Sequence, residues 1–342
     1  AFANMPLEAP EMAERFRLER FARRNANYLE QMVDSHGLPY FDTFWTSPAE
    51  CVHDWPDYGD VNSRQLEAAV MSRHMTGVPV RSESTMRATA RQYLKLGGDG
   101  LLWRPETSYT RLGADLGDNT MTLGAFTALT QDEPGSEWQG IGQVLVDRLW
   151  ELATKRDNYA FFSGNYWSPE GWTSHGDQPG GYWEFFFVQP LLNWAEVTGS
   201  EVAIDLGRHL TIASLEHTTS FSPEGRFVGH VHGHLRGLAG FAHLGLLDNR
   251  PELLQLAAKG IDFINRQSTN FGFVPELSER KDDLIGCETC ILMDYLDTMI
   301  ILALHGYPEY FELVERTVRN HLAESQATDL SWLEEDNNRE DT

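Results

Sequence analysis

Cys290-Ile291-Leu292-Met293-Asp294-Tyr295-Leu296-Asp297-Thr298-Met299-Ile300-Ile301-Leu302-Ala303-Leu304 is the stretch on which the fold turns. Ile291, Leu292, Tyr295, Leu296, Met299 and Ile300 recur at helical spacing over more than half of the circumference, which predicts an inner, heavily buried helix. Asp294 and Asp297 interrupt the run well short of the roughly 18 apolar residues of a membrane span, so the burial is inside protein. Downstream, Glu309–Leu322 sets Tyr310, Leu313, Val314, Val318 and Leu322 on one stripe, the pattern of a helix with one wet face. Gly306 and Pro308 punctuate the short connection, so the two segments read as a hairpin of one inner and one outer helix.

The same pattern runs upstream. Helices are predicted over about 11–34, 62–76, 82–96, 118–130, 143–152, 183–198, 201–216, 233–245 and 251–266, with Gly77, Gly97-Gly98 and Gly199 at their ends. Strand-like alternation is confined to short pieces such as Arg226–His232 and Phe271–Val274. Eleven helices joined by short turns predict a mainly α chain: six helical hairpins closed into an (α/α)6 toroid, a six-hairpin glycosidase-like barrel. An open helical solenoid is the alternative, and no repeat of fixed period favours it. No linker or composition shift interrupts residues 1–342 before the acidic tail Glu334–Thr342, so a single domain is expected.

The 342 residues are 41% hydrophobic, enough for a large core, and carry 27 Lys+Arg against 51 Asp+Glu for a formal net charge of −24. Such a field repels phosphate backbones and anionic headgroups, and the densest basic run, Arg15–Arg24, is interleaved with Glu14 and Glu19. No nucleic acid and no membrane is therefore expected as a partner. Cys51, Cys287 and Cys290 are too few for a disulfide framework. Ala1–Pro10 shows no basic n-region or apolar h-region, but the numbering starts at Ala1; a cytoplasmic location and a periplasmic or secreted one after leader removal are both open.

Three loop regions stand out as candidate sites. Asn158–Val188 holds eleven aromatic residues among glycines, including Trp167, Trp172, Tyr182 and Trp183. Such rings suit stacking on the C–H faces of sugars, whereas Phe185–Phe187 read as core. His230-Val231-His232-Gly233-His234-Leu235-Arg236 places three histidines at alternate positions beside an arginine. If the segment is extended they share a face; if it is helical, His230 and His234 meet. Glu276 and Glu288 lie on either side of a turn, and paired carboxylates are what glycosidic cleavage needs: one protonates the leaving oxygen and the other attacks or activates water. Asp118, in Gly117-Asp118-Asn119, is a weaker substrate-contact candidate that also reads as a helix cap.

The run Glu288-Thr289-Cys290 opening a buried helix, with Glu276 upstream, resembles the region of the β-L-arabinofuranosidase family that holds its zinc-ligand Glu-x-Cys and its acid/base glutamate. Gly233-His234-Leu235-Arg236 is similar to that family's Gly-His-x-x-Arg segment. The resemblance implies Glu276 as acid/base, Glu288 and Cys290 as ligands of a zinc ion, with Cys287 available as a further one, and His234 as a sugar contact. No cysteine follows Cys290, so the thiolate nucleophile that the resemblance implies has no counterpart here. A two-carboxylate mechanism or one that activates water is then at least as well founded.

The expectation is a glycoside hydrolase cleaving a terminal sugar from an oligosaccharide or polysaccharide fragment. Glu276, Glu288 and His234 are its candidate catalytic residues; His230, His232, Arg236, Asp118 and the aromatics Trp167, Trp172, Tyr182 and Trp183 are its candidate substrate contacts. Zinc and homo-oligomerisation are left open. Two alternatives use the same toroid: an unsaturated uronyl hydrolase recruiting Asp118, Arg236 and His232, and a sugar epimerase or isomerase exchanging a proton between two histidines such as His230 and His234.

Overall fold

The computed structural model describes residues 17–34, 39–46, 48–54, 58–106, 111–279 and 286–337. Among them are eleven α-helices: α1 (Leu18–Gln31), α2 (Tyr58–Thr76), α3 (Glu83–Gly97), α4 (Leu116–Asp132), α5 (Glu137–Leu152), α6 (Tyr182–Thr198), α7 (Glu201–Glu216), α8 (Val231–Leu247), α9 (Pro251–Asn265), α10 (Thr289–Leu304) and α11 (Tyr310–Thr317), the last running on into a π-helical turn over Val318–Leu322. Each lies where the hydrophobic period places a helix. Residues 11–16 of the first predicted helix lie outside the described residues.

Burial separates the helices into two layers. On α8, Val231–Ala242 is buried without interruption, and α4 and α6 are nearly as enclosed, whereas α5 buries only the stripe Trp138, Gly142, Leu145, Val146 and Leu149. The inner helices α2, α4, α6, α8 and α10 pack side by side, and each lies against an outer partner. Where a large side chain meets a neighbour, glycine makes the room: a Cβ on Gly142 of α5 would lie 2.3 Å from the Trp194 ring of α6, and one on Gly240 of α8 would lie 2.7 Å from the backbone nitrogen of Gln189. No described helix is long and apolar enough to cross a membrane.

The N-termini of the inner helices gather at one end of the barrel. Gly59 of α2 abuts Asp118 of α4, Gly117 abuts Trp183 of α6, Tyr182 reaches His230 at the start of α8, and His230 reaches Glu288 at the start of α10. Caps fix these starts. Asp115 accepts from the Gly117 N–H at 2.7 Å to open α4, and Glu184 accepts from the Gly181 N–H at 2.6 Å to open α6.

Short strands trim this rim, and they are the larger departure from the helical reading. β1 (Phe41–Thr46) and β2 (Ala49–Asp54) form a hairpin; β3 (Ala114–Asp115), β6 (Gly164–Ser168) and β7 (Gly171–Ser174) form a second small sheet; β4 (Thr154–Lys155) pairs with β5 (Ala160–Phe161). Of the expected strand at Arg226–His232 only β8 (Gly229–His230) forms, paired with β9 (Leu277–Ser278), and the one expected at Phe271–Val274 does not form. The acidic tail is not wholly an appendage: β10 (Glu335–Asn337) runs parallel to β2, while residues 338–342 lie outside the described residues.

Candidate functional site

The rim centres on His230. As the N-cap residue of α8 it stands where the backbone turns from strand to helix, anchored by pairing with Leu277 and by the Val231 N–H donating to the Glu276 carbonyl at 2.9 Å. Its Nε2 lies 2.7 Å from Oε2 of Glu288, the N-cap residue of α10, and its Nδ1 lies 3.4 Å from the Tyr182 hydroxyl. Both members of the His230–Glu288 pair reach solvent. The hydrogen bond from His230 holds the Glu288 carboxyl down to about 2 despite partial burial, and in return raises the imidazole pKa.

His232 is buried two residues further in. Its Nδ1 is bound by Asp294 of α10, its ring centroid is 5.6 Å from that of His230, and its Nε2 has no hydrogen-bond partner. Two histidine–carboxylate pairs thus stand side by side. Asp294 entered the sequence reading only as an interruption of an apolar run. The signal was there, because a carboxylate on an otherwise apolar inner helix has to find a partner.

His234 does not join them. It points from the opposite side of α8 into the core, stacked on Phe227 at 4.6 Å and flanked by Phe185 and Phe221, with Nδ1 donating to the His230 carbonyl at 2.7 Å. Burial pushes its pKa down to about 4, so it is a neutral core histidine, away from the groups expected to contact sugar. Arg236, four residues beyond His232 on the same face, is buried with its guanidinium over the Phe186 ring at 4.8 Å.

Glu276 is half-buried beside the β8–β9 pair. Its carboxylate lies against Gly286, where a Cβ would be 2.5 Å from Oε2, and its charge reaches both His230 and Cys287. The two glutamates expected from sequence therefore bracket His230. The cysteines part company: Cys290 Sγ donates to Glu288 Oε2 at 3.2 Å, whereas Cys287 Sγ turns to His321 Nε2 at 3.0 Å. Among the described residues no three His, Cys, Asp or Glu side chains are grouped so that they could hold a metal ion. Burial raises both thiols, Cys287 to about 12, which keeps them protonated.

Asp118 is sealed rather than presented: it is 1% exposed and takes two hydrogen bonds from Arg104, at 2.7 and 2.8 Å. Burial nonetheless drives its carboxyl up to about 7. The aromatics divide in the same way. Tyr182 and Trp183 meet edge to face at 5.1 Å beside His230 and Gly117, while Trp167 and Trp172 are a cross-strand pair of the β6–β7 hairpin with centroids 6.0 Å apart. Below the rim, the inner helices bring in groups that the sequence reading did not count as site residues: Arg64 paired with Asp60 at 2.6 Å, Glu67, and Asp297 hydrogen-bonded to Gln189. Burial raises the pKa of both Glu67 and Asp297, the latter to about 6.

No family model matches the sequence, and no curated protein matches it. Solved structures do. The unsaturated glucuronyl hydrolase from Bacillus sp. GL1 superposes with a TM-score of 0.66 at 13% identity, over 92% of this chain and 87% of that one. A D-mannose isomerase gives 0.66 at 10% identity, over 92% and 88%. A β-L-arabinofuranosidase from Geobacillus stearothermophilus T6 gives 0.53 at 15% identity over 87% of this chain, which spans only 49% of that one. The distant resemblance read from Glu288-Thr289-Cys290 thus has a structural counterpart. Identities of 10–15% speak to architecture alone, and with five described inner helices ringed by six outer ones the protein is an (α/α)6 barrel.

Proposed function

We propose that the protein is a glycoside hydrolase that removes a terminal sugar by carboxylate acid/base catalysis at the rim around His230. The observation that carries this reading is Glu288, a solvent-reaching carboxylate held ionised by His230 beside Tyr182 and Trp183. An anion of that kind stabilises positive charge developing at an anomeric carbon or activates the attacking water. Glu276, across His230, is assigned the proton donation to the leaving oxygen. In the overall step the glycosidic C–O bond breaks, the leaving oxygen takes a proton, and water adds its oxygen to the anomeric carbon and returns a proton to the enzyme. Protonated thiols at Cys287 and Cys290 favour this route over a thiolate nucleophile. A panel of nitrophenyl glycosides, followed by product chromatography on oligosaccharides, tests it: one glycoside is cleaved, and Glu276→Gln and Glu288→Gln each lose turnover. Full turnover in either variant removes that residue from the mechanism.

A second reading has its own observation. His230 and His232, each bound to a carboxylate with rings 5.6 Å apart, form a pair suited to moving a proton on and off a sugar carbon. Of the histidines considered from sequence, His232 takes the place of His234 in this reading. Incorporation of solvent deuterium into free mannose or glucose, without glycoside cleavage, would favour it.

A further inference from the structure

Glu288 is the N-cap residue of α10, yet its carboxylate takes no hydrogen bond from the N–H groups that open that helix. A carboxylate at a helix start is drawn to those donors and to the positive end of the dipole, so something else holds this one. Two side chains do, and both bind the same oxygen. Nε2 of His230 lies 2.7 Å from Oε2, and the Cys290 thiol donates to Oε2 at 3.2 Å. They come from different elements, His230 from the start of α8 and Cys290 from the second position of α10. A carboxylate oxygen offers two lone pairs, so the two donors fill Oε2. Among the described residues none bonds Oε1, and 41% of the side chain meets solvent. One oxygen is thus engaged by the protein and the other is presented at the rim.

We propose that the Cys290 thiol is a positioning residue for Glu288: with His230 it clamps Oε2 and keeps the carboxylate off the helix N-terminus, so that Oε1 is the oxygen that faces the anomeric carbon or its attacking water. This deepens the glycosidase reading and rests on it for the sugar. It gives Cys290 the work of a hydrogen-bond donor in place of the zinc ligand that the resemblance implies. Because the thiol acts through Glu288, its loss is expected in kcat rather than in KM. On the glycoside that the substrate panel identifies, Cys290→Ala lowers kcat about tenfold with KM little changed, the size of effect that a hydrogen bond to a charged group supplies. Cys290→Ser, which keeps a donor at that position, recovers most of the loss. Unchanged kcat in Cys290→Ala overturns the proposal, as does a Cys290→Ser variant no better than Cys290→Ala. So does turnover that a chelator abolishes and zinc restores, since a ligating thiolate has no proton to donate.

Infrared absorption reads the clamp without turnover. The S–H stretching band of Cys290, identified by its loss in Cys290→Ser, lies at the lowered frequency of a hydrogen-bonded thiol and rises in Glu288→Ala. A band that Glu288→Ala leaves in place overturns the proposal whether or not any sugar is cleaved, and even if Cys290→Ala fails to fold. A band that moves, in a protein that cleaves no glycoside, leaves the clamp standing and defeats the hydrolase reading instead.

Discussion

Two carboxylate–cation pairs stand at inner-helix N-termini on the same rim, and burial sends them in opposite directions. Asp118, at the start of α4, is 1% exposed and fully engaged by Arg104, yet its carboxyl is pushed up to about 7. Glu288, at the start of α10, meets water with 41% of its side chain, shares only one oxygen with His230, and is held down to about 2. Counting partners would rank them the other way. Desolvation penalises the charged form wherever water is excluded, so a sealed ion pair titrates late and an open one early. The sealed pair is architecture; the open one is the carboxylate that the proposed mechanism uses.

The contrast breaks most sharply in catalysis. Glu288→Gln is expected to lower kcat by roughly 10²–10⁴-fold on the identified substrate, with a smaller change in KM, because it removes charge that matters most in the transition state. Steady-state kinetics with chromatographic detection of product checks it. The sealed pair answers in stability instead. Arg104→Met leaves Asp118 without its cation in a dry site, and a loss of about 3–5 kcal/mol at pH 7.5 is expected in denaturant unfolding, shrinking at pH 5 as the carboxyl takes up a proton.

The pH profile of stability sharpens the comparison further. Asp118 is raised from 3.8 to about 7, so its share of stability is whole below about pH 4 and fades as pH climbs to 7. Glu288 is lowered from 4.5 to about 2, so its share is present above pH 4.5 and is lost as pH falls toward 2. Asp118→Asn should flatten the first slope and Glu288→Gln the second, as read by melting temperature against pH. A third slope belongs to His234, lowered from 6.5 to about 4: stability is lost as pH falls through that window, and His234→Phe should remove the slope while acting on the melting temperature rather than on sugar binding.

The helices were legible because burial on one face or all round writes itself into the sequence as a 3.6-residue period, and Gly199 marks an end; the cap expected at Asp118 is instead made by Asp115. The β1–β2 and β6–β7 hairpins were not, since short strands of mixed apolar and polar residues such as Gly164–Ser168 carry no clean alternation. Glu288 and Tyr182, both singled out in the sequence, meet at His230, and Glu276 lies beside the β8–β9 strand pair. Asp294, Asp297, Glu67 and Gln189 were passed over as site residues because their partners lie on other helices, and only the barrel's closure makes them neighbours.

The histidine run shows where one kind of information ends and the other begins. Composition, helical period and the clustering of His, Glu and aromatic residues near three loops were enough to determine an inner-and-outer helical barrel with a candidate site at the rim. Which histidines share that rim was undetermined, because an extended run puts all three on one face and a helix pairs the first with the third. The backbone switches between His230 and Val231, so His230 caps, His232 faces Asp294, and His234 turns half a circumference away into the phenylalanines. That switch is set by pairing with Leu277 and by the Glu276 carbonyl, partners more than forty residues downstream, and long-range contacts of that kind exist only in the folded chain.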